Sequence, residues 1–231
     1  MLVAGADGCR GGWVVVTAEL SGSTPGLIEA TVAPRFSDLL ALTSHCAAIA
    51  VDIPIGLSDS APRGADAAAR RLLGSPRSSS VFPAPPRAVL ACSGYAAACD
   101  ASFEARGKRL SRQSFGILPK IRETDACLTP ILQARVREAH PEVSFAMLNG
   151  GWPFHANKKT PAGSAQRAVL LRRAFGAAFA ALVLPRGAAP DDLYDATVLA
   201  WTAARIALGE AVSLPAEPEW DSRGLRMEIV Y

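Results

Sequence analysis

Two apolar runs in this chain each end in an aspartate. The first is Leu2 to Ala6, closed by Asp7; the second is Ala47 to Val51, closed by Asp52. The second run has no polar alternation, the pattern of a strand buried on both faces of a parallel sheet. An ionised carboxylate at the end of a central strand is costly unless something pairs with it. If the two strands are parallel neighbours, both carboxylates emerge at one sheet edge, where open α/β sheets bind ligands. Gly8, Gly11 and Gly12 follow Asp7 and predict a tight turn into a second strand ending near residue 20.

The chain has 231 residues, half of them hydrophobic, and a formal net charge of +3. That length predicts one domain. The charge permits a polyanionic partner without requiring one. Cys9, Cys46, Cys92, Cys99 and Cys127 form no CxxC pair, so free thiols in a reducing compartment are expected. Met1 leads straight into a strand with no basic leader. No apolar run reaches the ~18 residues of a membrane helix. A soluble, cytoplasmic protein is the expectation.

After a Ser, Gly and Pro loop over 21–26, Leu27–Val32 predicts a third strand in a meander. A helix is expected over 36–44, with Ser37 as its N-cap. Residues 62–74 predict a helix with Arg63, Arg70 and Arg71 outside. Ser75 to Arg87 holds four prolines and four serines and is expected to be an ordered loop pinned by Val81 and Phe82. Helical stretches around 87–106 and 119–132 flank a basic loop, so 75–133 reads as a helical insertion. A strand over 134–140 precedes a helix opened by Pro141, with Glu142 at its start. Trp152 to Gly163 is a polar loop. Residues 164–184 are helical, with Arg167, Arg172 and Arg173 on the polar side. The last helix runs from Asp191 to about Leu208, ended by Gly209, and MEIVY is a short final strand.

The last helix opens DDLYDA. Asp192 and Asp195 lie three apart and share a face. Acids are favourable in a first turn anyway, but Asp195 precedes an apolar run and should lie near the core. Asp7, Asp52, Glu142, Asp192 and Asp195 are thus the candidate catalytic acids. Asp7, Asp52, Asp192 and Asp195 among them are the candidate metal ligands. Carboxylates with few histidines suit Mg²⁺ or Mn²⁺ rather than zinc. Two such ions about 4 Å apart activate water and stabilise a leaving oxygen at a phosphodiester. Arg10, Arg77, Lys158 and Lys159 are the basic residues placed to bind substrate phosphate.

The order strand–Asp, meander, helix, buried strand–Asp and late DxxD helix resembles the ribonuclease H-like superfamily, including its Holliday-junction resolvases. GADGCRGGW, VDIPIGL, RxADxxAR before SSSVFPAP, HPEVSF and DDLYDA resemble the DUF429 family of ribonuclease H-like nucleases. The resemblance implies a mixed five-stranded sheet of order 3-2-1-4-5, strand 2 antiparallel, with helices on both faces. It also implies metal-dependent phosphodiester cleavage, with Asp7 and Asp52 as the strand acids and Asp192 and Asp195 as the helix pair. Glu142 enters from its position after strand 5.

Two other readings stay open: a non-catalytic nucleic-acid or protein binder, and an ATP- or phosphate-binding relative of the actin-like fold. A Walker A loop is absent, and the glycine cluster lies in a hairpin rather than before a helix. His140 or His155 could serve Ser/His/Asp chemistry, but no GxSxG elbow is present. His140, beside Glu142, is the histidine expected to support a ligand. No aromatic stacking platform marks a nucleic-acid surface.

Overall fold

In a computed structural model, which describes residues 1–21 and 25–231, the glycine turn joins β1 (Leu2–Cys9) to β2 (Gly12–Glu19) as an antiparallel hairpin. Strand β3 (Gly26–Ala33) continues the meander on the outer side of β2. The loop expected before it lies largely outside the described residues. Strand β4 (Ala48–Val51) pairs parallel with β1, and β5 (Val136–Glu138) pairs parallel with β4. The sheet order is β3-β2-β1-β4-β5, the mixed α/β arrangement of the ribonuclease H-like fold.

Side-chain alternation splits the core in two. Val3, Val14, Val16, Ala48 and Ala50 face one layer; Ala4, Ala6, Trp13, Val15, Ile49 and Val51 face the other. The first layer is α7 (Pro141–Leu148), α8 (Pro161–Phe175), α9 (Ala177–Ala181) and above all α10 (Pro190–Leu208). The second layer holds α1 (Phe36–Leu42), α3 (Tyr95–Arg106) and α5 (Leu118–Cys127). Helix α2 (Gly64–Leu73), the short α4 (Arg112–Gly116) and α6 (Pro130–Gln133), and two 3₁₀ turns at Arg77–Ser80 and Arg87–Ala91 complete the stretch between β4 and β5.

Helix α10 lies directly on the backbone of β1. A Cβ built on Gly5 would stand 2.1 Å from the Ala200 nitrogen and 2.2 Å from the Ala196 carbonyl oxygen. Only a glycine permits that approach. A second hairpin, β6 (Ser213–Trp220) with β7 (Arg226–Val230), packs beside α2 and α7. The sequence showed β7 as MEIVY and gave no sign of β6. No described helix is long and apolar enough to cross a membrane.

Four local expectations are corrected. Ser37 does not cap α1: Arg35 is the N-cap residue, and the free Phe36 N–H donates to Glu123 Oε1 at 2.6 Å. Arg63 is not outside α2 but buried, and Arg167 is likewise buried on α8. Of the two residues expected to pin the proline-rich loop, Val81 is buried whereas Phe82 is exposed.

Candidate active site

Parity places the acids. Asp7 follows Val3 and Gly5 on the α10 face of β1, and Asp52 follows Ala48 and Ala50 on the same face of β4. Backbone pairing continues one step past β4, where Asp52 N–H donates to the Ala6 carbonyl at 3.0 Å. Both aspartates line one cleft of about 450 Å³ at the carboxyl ends of β1, β4 and β5. Asp7 is 7% exposed, and among the described residues its carboxylate accepts no hydrogen bond. Burial, then the charges of Asp52 and Asp195, push its carboxyl well above the ordinary range. Asp52 shifts the same way, chiefly through burial.

Asp195 comes to the site from the first turns of α10 and is 1% exposed. Burial is the main cause that lifts its carboxyl to about 7, against the pull of Lys158 and with the push of Asp52 and Glu142. Lys158 lines the cleft and donates from Nζ to Asp195 Oδ2. The neighbouring carboxylates hold its ammonium firmly charged despite burial. Lys159 pairs with Asp191 at 2.5 Å, so the two lysines engage two acids of the last helix.

The other predicted residues divide. Glu142 is in the cleft wall, but both its oxygens accept from Arg167 Nη2, at 2.5 and 2.7 Å. Asp192 turns back on its own helix, its Oδ2 accepting the Ala189 N–H at 2.8 Å. Its charge still reaches Asp7. Arg77 lines the cleft, and its Nε is buried without a hydrogen-bond partner. Arg10 is exposed at the hairpin turn, away from the cleft lining. His140 lines the cleft and caps α7, its Nδ1 accepting the Glu142 N–H at 3.2 Å. His155 is exposed and outside the lining.

Two groups escaped the sequence reading. Lys120 crosses Gly8 in the cleft, donates to the Gly12 carbonyl and stands 4.5 Å from the Trp13 ring centroid. Arg63 grips Glu138 of β5 through two nitrogens, at 2.8 and 2.7 Å, and also binds Asp66. Its Nη1 donates to the Ile55 and Gly56 carbonyls, which fixes the loop that follows Asp52. Burial works against its charge, but Asp66 and Glu138 outweigh that and hold the guanidinium protonated.

As the chain stands, no three His, Cys, Asp or Glu side chains among the described residues are arranged to hold a metal ion. The donors nevertheless fit one in kind. Asp7 and Asp52 offer hard oxygen donors that accept no hydrogen bond among the described residues, and a cation, the Lys158 ammonium, already sits against Asp195.

Fold and site together define an α/β protein with a mixed five-stranded sheet of order β3-β2-β1-β4-β5 and acidic side chains gathered at the carboxyl ends of its central parallel strands. The chain belongs to DUF429, a family described as "Protein of unknown function", whose match covers residues 5–220. No curated protein matches the sequence. Among solved structures, that of Thermus thermophilus RuvC aligns with 91% of this chain and 98% of its own, at 17% identity and a TM-score of 0.38.

Proposed function

We propose that this protein is a hydrolase of phosphodiesters, acting on nucleic acid with Mg²⁺ or Mn²⁺. One observation carries the reading. Asp7 is a buried carboxylate that accepts no hydrogen bond among the described residues, held on a rigid strand end and open to a cleft. A fold keeps such a group ionised against its desolvation cost only where something else pairs with it; otherwise the group takes up a proton. Asp7 and Asp52 would hold the cation, with Asp195 beside them. A bound divalent ion supplies an activated water and charge for the leaving oxygen. Arg77, Lys120 and Lys159 give the cleft positive charge to orient phosphate. The Glu142 carboxylate, neutralised by Arg167, ties the start of α7 to α8, and the Glu142 backbone N–H holds His140 Nδ1. Five free cysteines accord with a reducing, cytoplasmic setting.

The test is cleavage of labelled single-stranded, duplex, hybrid and branched substrates with Mg²⁺, Mn²⁺ or EDTA. Asp7→Asn keeps the side chain's size and removes its charge. It should melt at the same temperature or higher in metal-free buffer and cleave at least ~10²-fold more slowly. Cleavage at the parental rate would remove Asp7 from the site, and binding without cleavage by the parent protein would favour a non-catalytic role.

A further inference from the structure

We infer that the acidic cleft takes one divalent cation, not two, and that the Lys158 ammonium is the second positive charge of the site. The inference rests on the proposed metal-dependent reading and refines it. Each other acid near the cleft already has its own partner. Glu142 is bound by Arg167, Asp191 by Lys159, and Asp192 by the Ala189 N–H. Asp66 and Glu138 are bound by Arg63. That leaves Asp7, Asp52 and Asp195. Lys158 donates to Asp195, whereas Asp7 and Asp52 accept no hydrogen bond among the described residues. Lys158 meets the charge of Asp195, which leaves the charges of Asp7 and Asp52 for one divalent ion to neutralise. A second ion would have to take Asp195, which the ammonium already holds.

Lys158 sits on a braced turn. Thr160 donates to the Asn157 carbonyl from its nitrogen at 3.0 Å and from Oγ1 at 2.8 Å; Lys159 N–H donates to Asn157 Oδ1 at 2.9 Å. The turn packs so closely on α8 that a Cβ on Gly163 would stand 2.0 Å from the Asn157 carbonyl oxygen. Arg167, while holding Glu142, also donates to the Ala156 carbonyl at 3.4 Å and the Gly163 carbonyl at 3.0 Å. The Lys158 backbone is therefore fixed relative to the acids, and Nζ is delivered to Asp195 by a built element. Only 31% of the side chain is exposed.

The experiment counts Mn²⁺ by electron paramagnetic resonance of the unbound ion, with the full-length protein and with Lys158→Met. A thermal melt of each protein reports that it is folded, and Lys158→Gln serves in place of the methionine variant if that does not fold. The expected result is one Mn²⁺ per wild-type chain and a second bound on removal of the ammonium. Two ions on the wild-type protein would overturn the inference and leave the metal-dependent reading standing. One ion on both proteins would overturn the role of Lys158. No Mn²⁺ on either would defeat the metal-dependent reading itself.

Discussion

Lowering the pH from about 8 to about 5.5 should stabilise the metal-free protein, the reverse of ordinary acid destabilisation. Asp195 has its folded-state carboxyl at about 7, against 3.8 in an unfolded chain. Between those values the folded state holds a proton that the unfolded chain has released. Stability from this group is therefore full below about pH 4, falls as pH rises towards 7, and is gone above it. Integrated between pH 8 and pH 5.5, Asp195 alone contributes about 2 kcal/mol. Asp7 and Asp52 are shifted in the same direction and add to it. For a domain of this size the Asp195 share alone should raise the melting temperature by roughly 4–8 °C. The assay is a series of thermal or urea melts in EDTA across that range. Asp52 raises both Asp7 and Asp195, so Asp52→Asn should make the profile shallower. Saturating Mn²⁺ should flatten it, because a bound cation favours the ionised carboxylates. A metal-free protein whose stability is constant, or rises, from pH 5.5 to pH 8 would refute this electrostatic account.

Two further substitutions probe the frame around the site. Gly5→Ala would push a methyl group against the α10 backbone, not against a yielding side chain, and should cost about 3 kcal/mol in a urea titration, the upper end of overpacking costs; a loss under about 1 kcal/mol would contradict the close packing. Arg63→Met would leave Asp66 and Glu138 buried without their shared cation and should cost about 3–5 kcal/mol by the same titration, whereas an unchanged midpoint would mean that those acids find another partner.

The sheet, its two strand-end acids and the place of Asp195 on the last helix were legible because their signals are local. An unalternating apolar run with an acid at its end specifies a buried strand and a strand-end carboxylate without knowledge of the neighbours. Asp195 was legible through its spacing from Asp192 and the apolar run after it. What stayed hidden depends on partners far along the chain. Arg167 looks like one more arginine on a basic helix face, yet its partner Glu142 lies 25 residues earlier. Arg63 meets Glu138 across 75 residues. Ser37 is a reasonable cap by type, but Glu123, 87 residues from Phe36, takes the N–H instead. Strand β6, SLPAEPEW, contains two prolines and no apolar alternation; among the described residues it pairs with β7 alone, so little in its own composition marks it as a strand.

The contact at Gly5 and the charge at Asp7 are parts of one arrangement. Residues 5 and 7 point to the same side of β1, two positions apart. Ala196 and Ala200 rest on the first of them, so the start of the same helix is carried toward the second, with Asp195 leading. The close packing that a glycine allows therefore brings Asp195 near enough to raise the Asp7 carboxyl. The apolar packing on both faces of the sheet must offset that repulsion, since a single lysine on the 156–160 turn meets only part of it. The geometry is set by backbone contacts that do not depend on an ion, and under the proposed function the uncompensated charge is what a divalent cation would neutralise.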